Sequence, residues 1–139
     1  MYSDLAYYTE LAYCLSVVPY SEPLPRTIQD ALRRSNRAIV ITESVEPFRI
    51  VNVNKAWEDL CGYAYLEAKD MTLGSLLRGP DTDDSAGNAM FAQLLHGKEA
   101  VTTLTNYTKD YRAFRNRLQV GPLMDGSNLT HFVGVLQEV

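Results

Sequence analysis

Leu73-Gly74-Ser75-Leu76-Leu77-Arg78-Gly79-Pro80-Asp81-Thr82-Asp83 is the stretch on which the reading of this chain turns. Residues 73–77 fit a short helix, and a turn follows. Asp81 or Asp83 is placed to cap a longer helix that carries Met90, Phe91, Leu94 and Leu95 and stops at Gly97. Upstream, residues 38–42 are β-branched and bounded by polar residues, so they read as a strand, and residues 48–53 alternate as a second. Asn54 looks like the N-cap of a helix through Trp57 and Leu60, which Gly62 ends. Residues 66–69 fit another short helical piece, and residues 26–36 one more, with Ile28, Ala31 and Leu32 on one side. Downstream, residues 100–108, 112–120 and 130–137 read as strands, joined at residues 109–111 and by the Asp125-Gly126 turn. Two strands, several short helices and three antiparallel strands form an α+β order. A five-stranded antiparallel sheet with short helices on one face leaves a pocket between the two layers.

Composition bounds what such a fold can do. At 139 residues, with 46% hydrophobic and 22% charged residues, the chain suits one soluble domain with a short extension. A net charge of −4 argues against direct nucleic-acid contact, which needs a basic patch. No run of about 18 apolar residues spans a membrane, and Asp4 and Glu10 interrupt any signal-peptide character. Cys14 and Cys61 match no metal spacing and read as free, packed thiols of a reducing compartment. No metal site is expected: Asp81, Asp83 and Asp84 are better explained as helix N-terminal carboxylates, and His96 as a partner of a helix C-terminus. Trp57 is expected to anchor its helix in the core. No catalytic signature is present, so the domain is read as non-enzymatic.

Residues 1–37 read as an N-terminal helical extension and linker, and residues 38–139 as the domain proper. Five of the nine tyrosines lie in the first twenty residues, and Leu5, Tyr8, Ala12 and Leu15 repeat at helical spacing. That stripe is a candidate dimer face, since aromatic residues are enriched at interfaces. The same stripe would serve equally to cover the chain's own sheet.

Five motifs in order then carry a resemblance. Ile39-Val40-Ile41-Thr42, the run from Asn54 through Trp57 to Gly62-Tyr63, Asn106-Tyr107-Thr108-Lys109, Phe114-Arg115-Asn116 and Phe132-Val133-Gly134-Val135 resemble, with the 73–83 stretch, the LOV-like branch of the PAS domain family. LOV domains are flavin-binding light sensors. The resemblance implies the PAS fold, and it implies flavin contacts at Val40, Thr42, Arg78, Asn106 and Asn116. The two asparagine amides would both donate to and accept from the ring's polar edge; bonds to backbone or water are the alternative for them.

The departures decide the functional expectation. The position of the photoreactive cysteine is Gly74. The positions of the two arginines that clamp the flavin phosphate are Ser75 and Phe91. The position of the signalling glutamine on the last strand is Leu136, with Gln137 turned to the other face. We therefore expect an intracellular, soluble sensory or protein-interaction module of a signalling or transcriptional regulator, in cytoplasm or nucleus. It forms no cysteinyl-flavin adduct and acts as a homodimer or a PAS–PAS heterodimer. No cofactor is expected. The alternative is a photoreceptor or redox sensor that binds FMN or another flavin and works by photoreduction without an adduct.

Overall fold

A computed structural model of the chain describes residues 22–139. The stripe of Leu5, Tyr8, Ala12 and Leu15, and Cys14, lie outside them. The described elements run α1 (Ile28–Ala31), β1 (Ala38–Glu43), β2 (Ile50–Val53), α2 (Lys55–Cys61), α3 (Tyr65–Ala68), α4 (Leu73–Leu77), α5 (Asp84–Leu95), β3 (Ala100–Tyr107), β4 (Ala113–Asp125) and β5 (Asn128–Glu138). The five strands form one antiparallel sheet in the order β2-β1-β5-β4-β3. This is the expected α+β arrangement.

Strand side chains alternate between faces, and β1 shows why both faces are covered. Val40 points inward with Leu118, Val120, Phe132 and Leu136, and this layer packs on Trp57, Cys61, Ala68, Leu77 and Leu94 from α2 to α5. Ile39 and Ile41 point outward with Leu123, Val133 and Val135, where Leu24 and Ala31 cover them. Residues 22–37 thus lay part of the outer apolar layer. Burying each of the valine, leucine, isoleucine and phenylalanine side chains among them contributes about 1.5–3 kcal/mol. Among the described residues no helix is long and apolar enough to cross a membrane.

Three elements differ from expectation. α1 is a single turn capped by Thr27, so Leu32 falls at its C-cap and stays exposed while Ala31 packs. β2 begins at Ile50, because Phe48 has φ +67°, outside any strand conformation. β4 runs on through Gly121 and Pro122 to Asp125. Pro122 lies past Val120, where β3 has ended, an edge on which a missing N–H breaks no second ladder.

Asn54 does more than cap α2. Its Oδ1 accepts from the N–H groups of Trp57 (3.0 Å) and Ile39 (2.9 Å), and its Nδ2 donates to the Arg37 carbonyl (2.7 Å). One amide therefore fixes where β1 starts relative to α2. Asn54→Ala is expected to cost about 2–3 kcal/mol in urea denaturation. Thr27→Ala, which removes a cap with a single bond to Asp30, is expected to cost about 1 kcal/mol. Equal losses would show that the two additional bonds of Asn54 contribute nothing.

Candidate functional site

The inner sheet face and helices α4 and α5 enclose a cavity of about 390 Å³. Pockets that bury small organic ligands run from about 300 to 1,000 Å³, so the space is of ligand size. Val40, Leu118, Leu136, Met90 and Leu94 supply apolar wall. Phe48, Phe91 and Phe132 form an aromatic group, with Phe48 4.6 Å from Phe91 and 5.8 Å from Phe132, ring centre to ring centre. Phe48 was missed as a site residue in the sequence. Read as a strand residue, it is instead held in the left-handed region and packs its ring at the cavity.

The polar floor is Asn106 on β3 and Asn116 on β4, both buried. They form a hydrogen-bonded series. The Gln137 N–H donates to Asn116 Oδ1 (3.3 Å), Asn116 Nδ2 donates to Asn106 Oδ1 (2.8 Å), and Asn106 Nδ2 donates to the Leu77 carbonyl (3.2 Å). Each Nδ2 group still holds a second N–H, and each amide oxygen a second lone pair. The floor can therefore both donate and accept.

The other sequence-predicted residues fall as follows. Val40 and Thr42 line the cavity, and the Thr42 hydroxyl donates to the Glu43 carbonyl (3.0 Å). Leu136 lines it, while Gln137 is in register with Arg117 on the opposite face. Phe91 lines it from α5. Ser75 does not line it. Its hydroxyl donates to the Thr72 carbonyl (2.9 Å), and the Thr72 hydroxyl accepts from the Ser75 N–H (3.1 Å), closing the start of α4. Arg78 reaches the cavity's exposed end but is bound to Asp84 through Nε and Nη2, both at 2.7 Å. That ion pair raises the Arg78 pKa and lowers that of Asp84. Asp83 is the cap of α5, accepting from the Ser85 and Ala86 N–H groups. The neighbouring Asp81 N–H donates to the Tyr107 hydroxyl.

Two thiol and imidazole readings are resolved by position. Cys61 is fully buried, and desolvation pushes its pKa up to about 12, which keeps it a thiol. His96 sits at the end of α5 with Nδ1 2.8 Å from the Ala92 carbonyl. Among the described residues no three His, Cys, Asp or Glu side chains gather where a metal ion could sit.

Gly74 lines the cavity, and a Cβ added there would meet nothing within 4 Å. Gly79, one turn on, is the opposite case: a Cβ would fall 2.2 Å from the Tyr107 ring. The Tyr107 ring approaches the backbone there and leaves no room for a side chain. Gly74→Ala, in the first turn of the five-residue α4, is expected to raise stability slightly, by up to about 0.5 kcal/mol, the lower end of the helix-interior gain over glycine. Gly79→Ala is expected to lose about 1–3 kcal/mol by overpacking. Thermal or urea unfolding checks both; equal effects would mean that the Tyr107 contact is loose.

With this geometry in view, comparison with known proteins is consistent in one direction. The chain is 32% identical over 116 residues to a blue-light photoreceptor of Listeria monocytogenes, covering 81% of this chain and 44% of that protein. It is 31% identical over 111 residues to blue-light-activated histidine kinase 1 of Erythrobacter litoralis, covering 78% of this chain and 31% of that protein. The chain thus spans less than half the length of these relatives. Its fold superposes on the solved LOV domain of the Erythrobacter litoralis EL346 blue-light activated histidine kinase with a TM-score of 0.71 and 27% identity, covering 76% of this chain and 98% of that one. The family profile described as PAS domain matches residues 36–139. The chain belongs to the PAS domain family, as a LOV-like member of it.

Proposed function

We propose that this chain is a sensory module that holds a flavin-type ring non-covalently, forms no cysteinyl adduct, and signals by association with another PAS domain. The observation that carries the reading is Gly74: this helix position on the cavity lining has no sulfur, and a Cβ placed there would meet nothing within 4 Å. The nearest alternative thiol among the described residues, Cys61, is buried and held protonated by desolvation.

The donor set fits a ring. Two buried amides offer both donors and acceptors beside an apolar and aromatic wall. The sequence argued for no cofactor, with FMN or another flavin as the alternative. The open cavity and relatives named as blue-light photoreceptors favour the alternative for the ring. A bound flavin would supply light absorption and reducibility; Asn106 and Asn116 would orient its polar edge and the three phenylalanines its apolar faces. Contact with nucleic acid is no part of this reading, given the net charge of −4.

Association is placed on residues 1–37, with Leu5, Tyr8, Ala12 and Leu15 as the contact stripe. Supporting this, a groove of about 440 Å³ is bordered by Glu22, Arg37, Gln119 and Gln137 and is large enough to take side chains of a partner. A second copy of the chain is the expected partner.

Incubation with flavins followed by desalting is expected to leave a yellow protein with a flavin band. Blue light is then expected to give no thiol-adduct spectrum, the single near-ultraviolet band that remains when a sulfur bonds the ring; reversible loss of colour by photoreduction and reoxidation in air is compatible with the proposal. A thiol-adduct spectrum in the wild type would overturn the adduct-free reading; a colourless protein would overturn ring binding. Gly74→Cys is expected to gain the adduct spectrum. For association, light scattering is expected to show a dimer that becomes a monomer when residues 1–21 are removed. A monomer in both cases would sink the interface.

A further inference from the structure

The exposed end of the cavity is built against negative charge, and we infer that the site selects a flavin without its phosphate, riboflavin over FMN. This rests on the reading of the cavity as a ring-binding site and deepens it. Among the described residues lining the cavity, Arg78 is the one cation, and it faces two carboxylates, Asp83 and Asp84. The Arg78 guanidinium is already spent, bonded side-on to both oxygens of Asp84 at 2.7 Å each. Paired in this way it is neutralised, and Asp83 leaves the mouth with a net negative charge.

The second place where a phosphate could settle is filled as well. α5 is twelve residues long and begins at the mouth, so its N-terminal N–H groups and the positive end of its dipole face the exit. Asp83 Oδ1 already accepts from the N–H groups of Ser85 (3.0 Å) and Ala86 (3.2 Å), and from the Ser85 hydroxyl (2.8 Å). Those bonds hold the Asp83 pKa below the usual carboxylate range, so the charge persists at neutral pH. The protein's own carboxylate thus occupies the anion position. Residues 1–21 cannot supply a missing cation from their sequence, since they contain no lysine or arginine.

A phosphate monoester carries about 1.5–2 negative charges near pH 7. Placed at this mouth it meets Asp83 and Asp84 with no unpaired lining cation to answer it. A ribityl chain ending in a hydroxyl would bring no charge to Asp83 and Asp84, and Asn88 beside them is a neutral lining group able to hydrogen-bond it. The ring site and the tail site therefore prefer the same molecule only when the tail is neutral.

The test is a fluorescence-quenching titration of the purified full chain with riboflavin and, separately, FMN, at low and at high salt. Riboflavin is expected to bind about tenfold more tightly or better at low salt. The gap is expected to narrow at high salt, where the repulsion is screened. Asp84→Asn, which releases Arg78, is expected to shift the affinity ratio toward FMN by about fivefold or more. Asp83→Asn, which keeps a capping side chain while removing its charge, is expected to shift it in the same direction. FMN binding as tightly as riboflavin, or a ratio that neither substitution moves, overturns the selectivity and leaves ring binding standing. Binding of neither flavin overturns both.

Discussion

The 2.8 Å hydrogen bond from Asn116 to Asn106 is the interaction on which the site depends. Both amides are buried, and an unsatisfied amide there costs about 1–3 kcal/mol. They satisfy one another, and the series they form is anchored at each end by backbone: the Gln137 N–H on β5 and the Leu77 carbonyl at the end of α4. Three strands and one helix are thus tied together across the cavity floor. Apolar packing alone is non-directional. This series is directional, and it ties the C-terminal end of α4 to the sheet at Leu77.

The two ends of the cavity follow opposite electrostatic rules. Its floor is neutral and amphoteric, with hydrogen-bonding capacity left over on both amides. Its mouth carries full charges, but these are already consumed: Arg78 by Asp84, and the N-terminus of α5 by Asp83. Exposed ion pairs of this kind contribute little to stability, yet they decide what charge an entering molecule encounters. A residue can therefore matter for selection while being nearly irrelevant to folding. Ser75 illustrates the converse. Its hydroxyl closes the N-terminus of α4 and has no part in the cavity lining.

The elements with a local signal were legible in the sequence. Residues 73–77 form α4 as expected, Asn54 and Gly62 bound α2 with Gly62 at φ +86°, and the Asp125-Gly126 turn joins β4 to β5. The placement of Leu136 at the cavity was implied by the resemblance with Gly134 aligned, and that of Gln137 away from it followed from strand alternation. What escaped were features set by distant partners. Nothing local in Phe48 announces that its backbone leaves the strand region so that its ring can meet Phe91 and Phe132, 43 and 84 positions on. The continuation of β4 through Gly121-Pro122 depends on β3 having ended beside Val120. The second and third bonds of Asn54 depend on β1 lying alongside, and the pairing of Arg78 with Asp84 on the turn of α5.

A leucine at position 136 does not disconnect the cavity from the sheet. Leu136 itself offers only van der Waals contact. One residue on, however, the Gln137 N–H is bonded to the oxygen of Asn116, so the backbone of β5 is joined directly to the floor. A ring carbonyl or N–H that engages Asn116 competes with that bond or strengthens it through the shared amide. The Gln137 side chain stands on the opposite face, in register with Arg117 and at a groove also bordered by Glu22. A change of hydrogen bonding inside thus reaches the outer face through one peptide group rather than through a rotating side chain. Such a connection needs no covalent adduct to operate. It would need only that a molecule bound there make a different bond to Asn116 in two of its states, because a ligand shifts an equilibrium only by its differential affinity for the two.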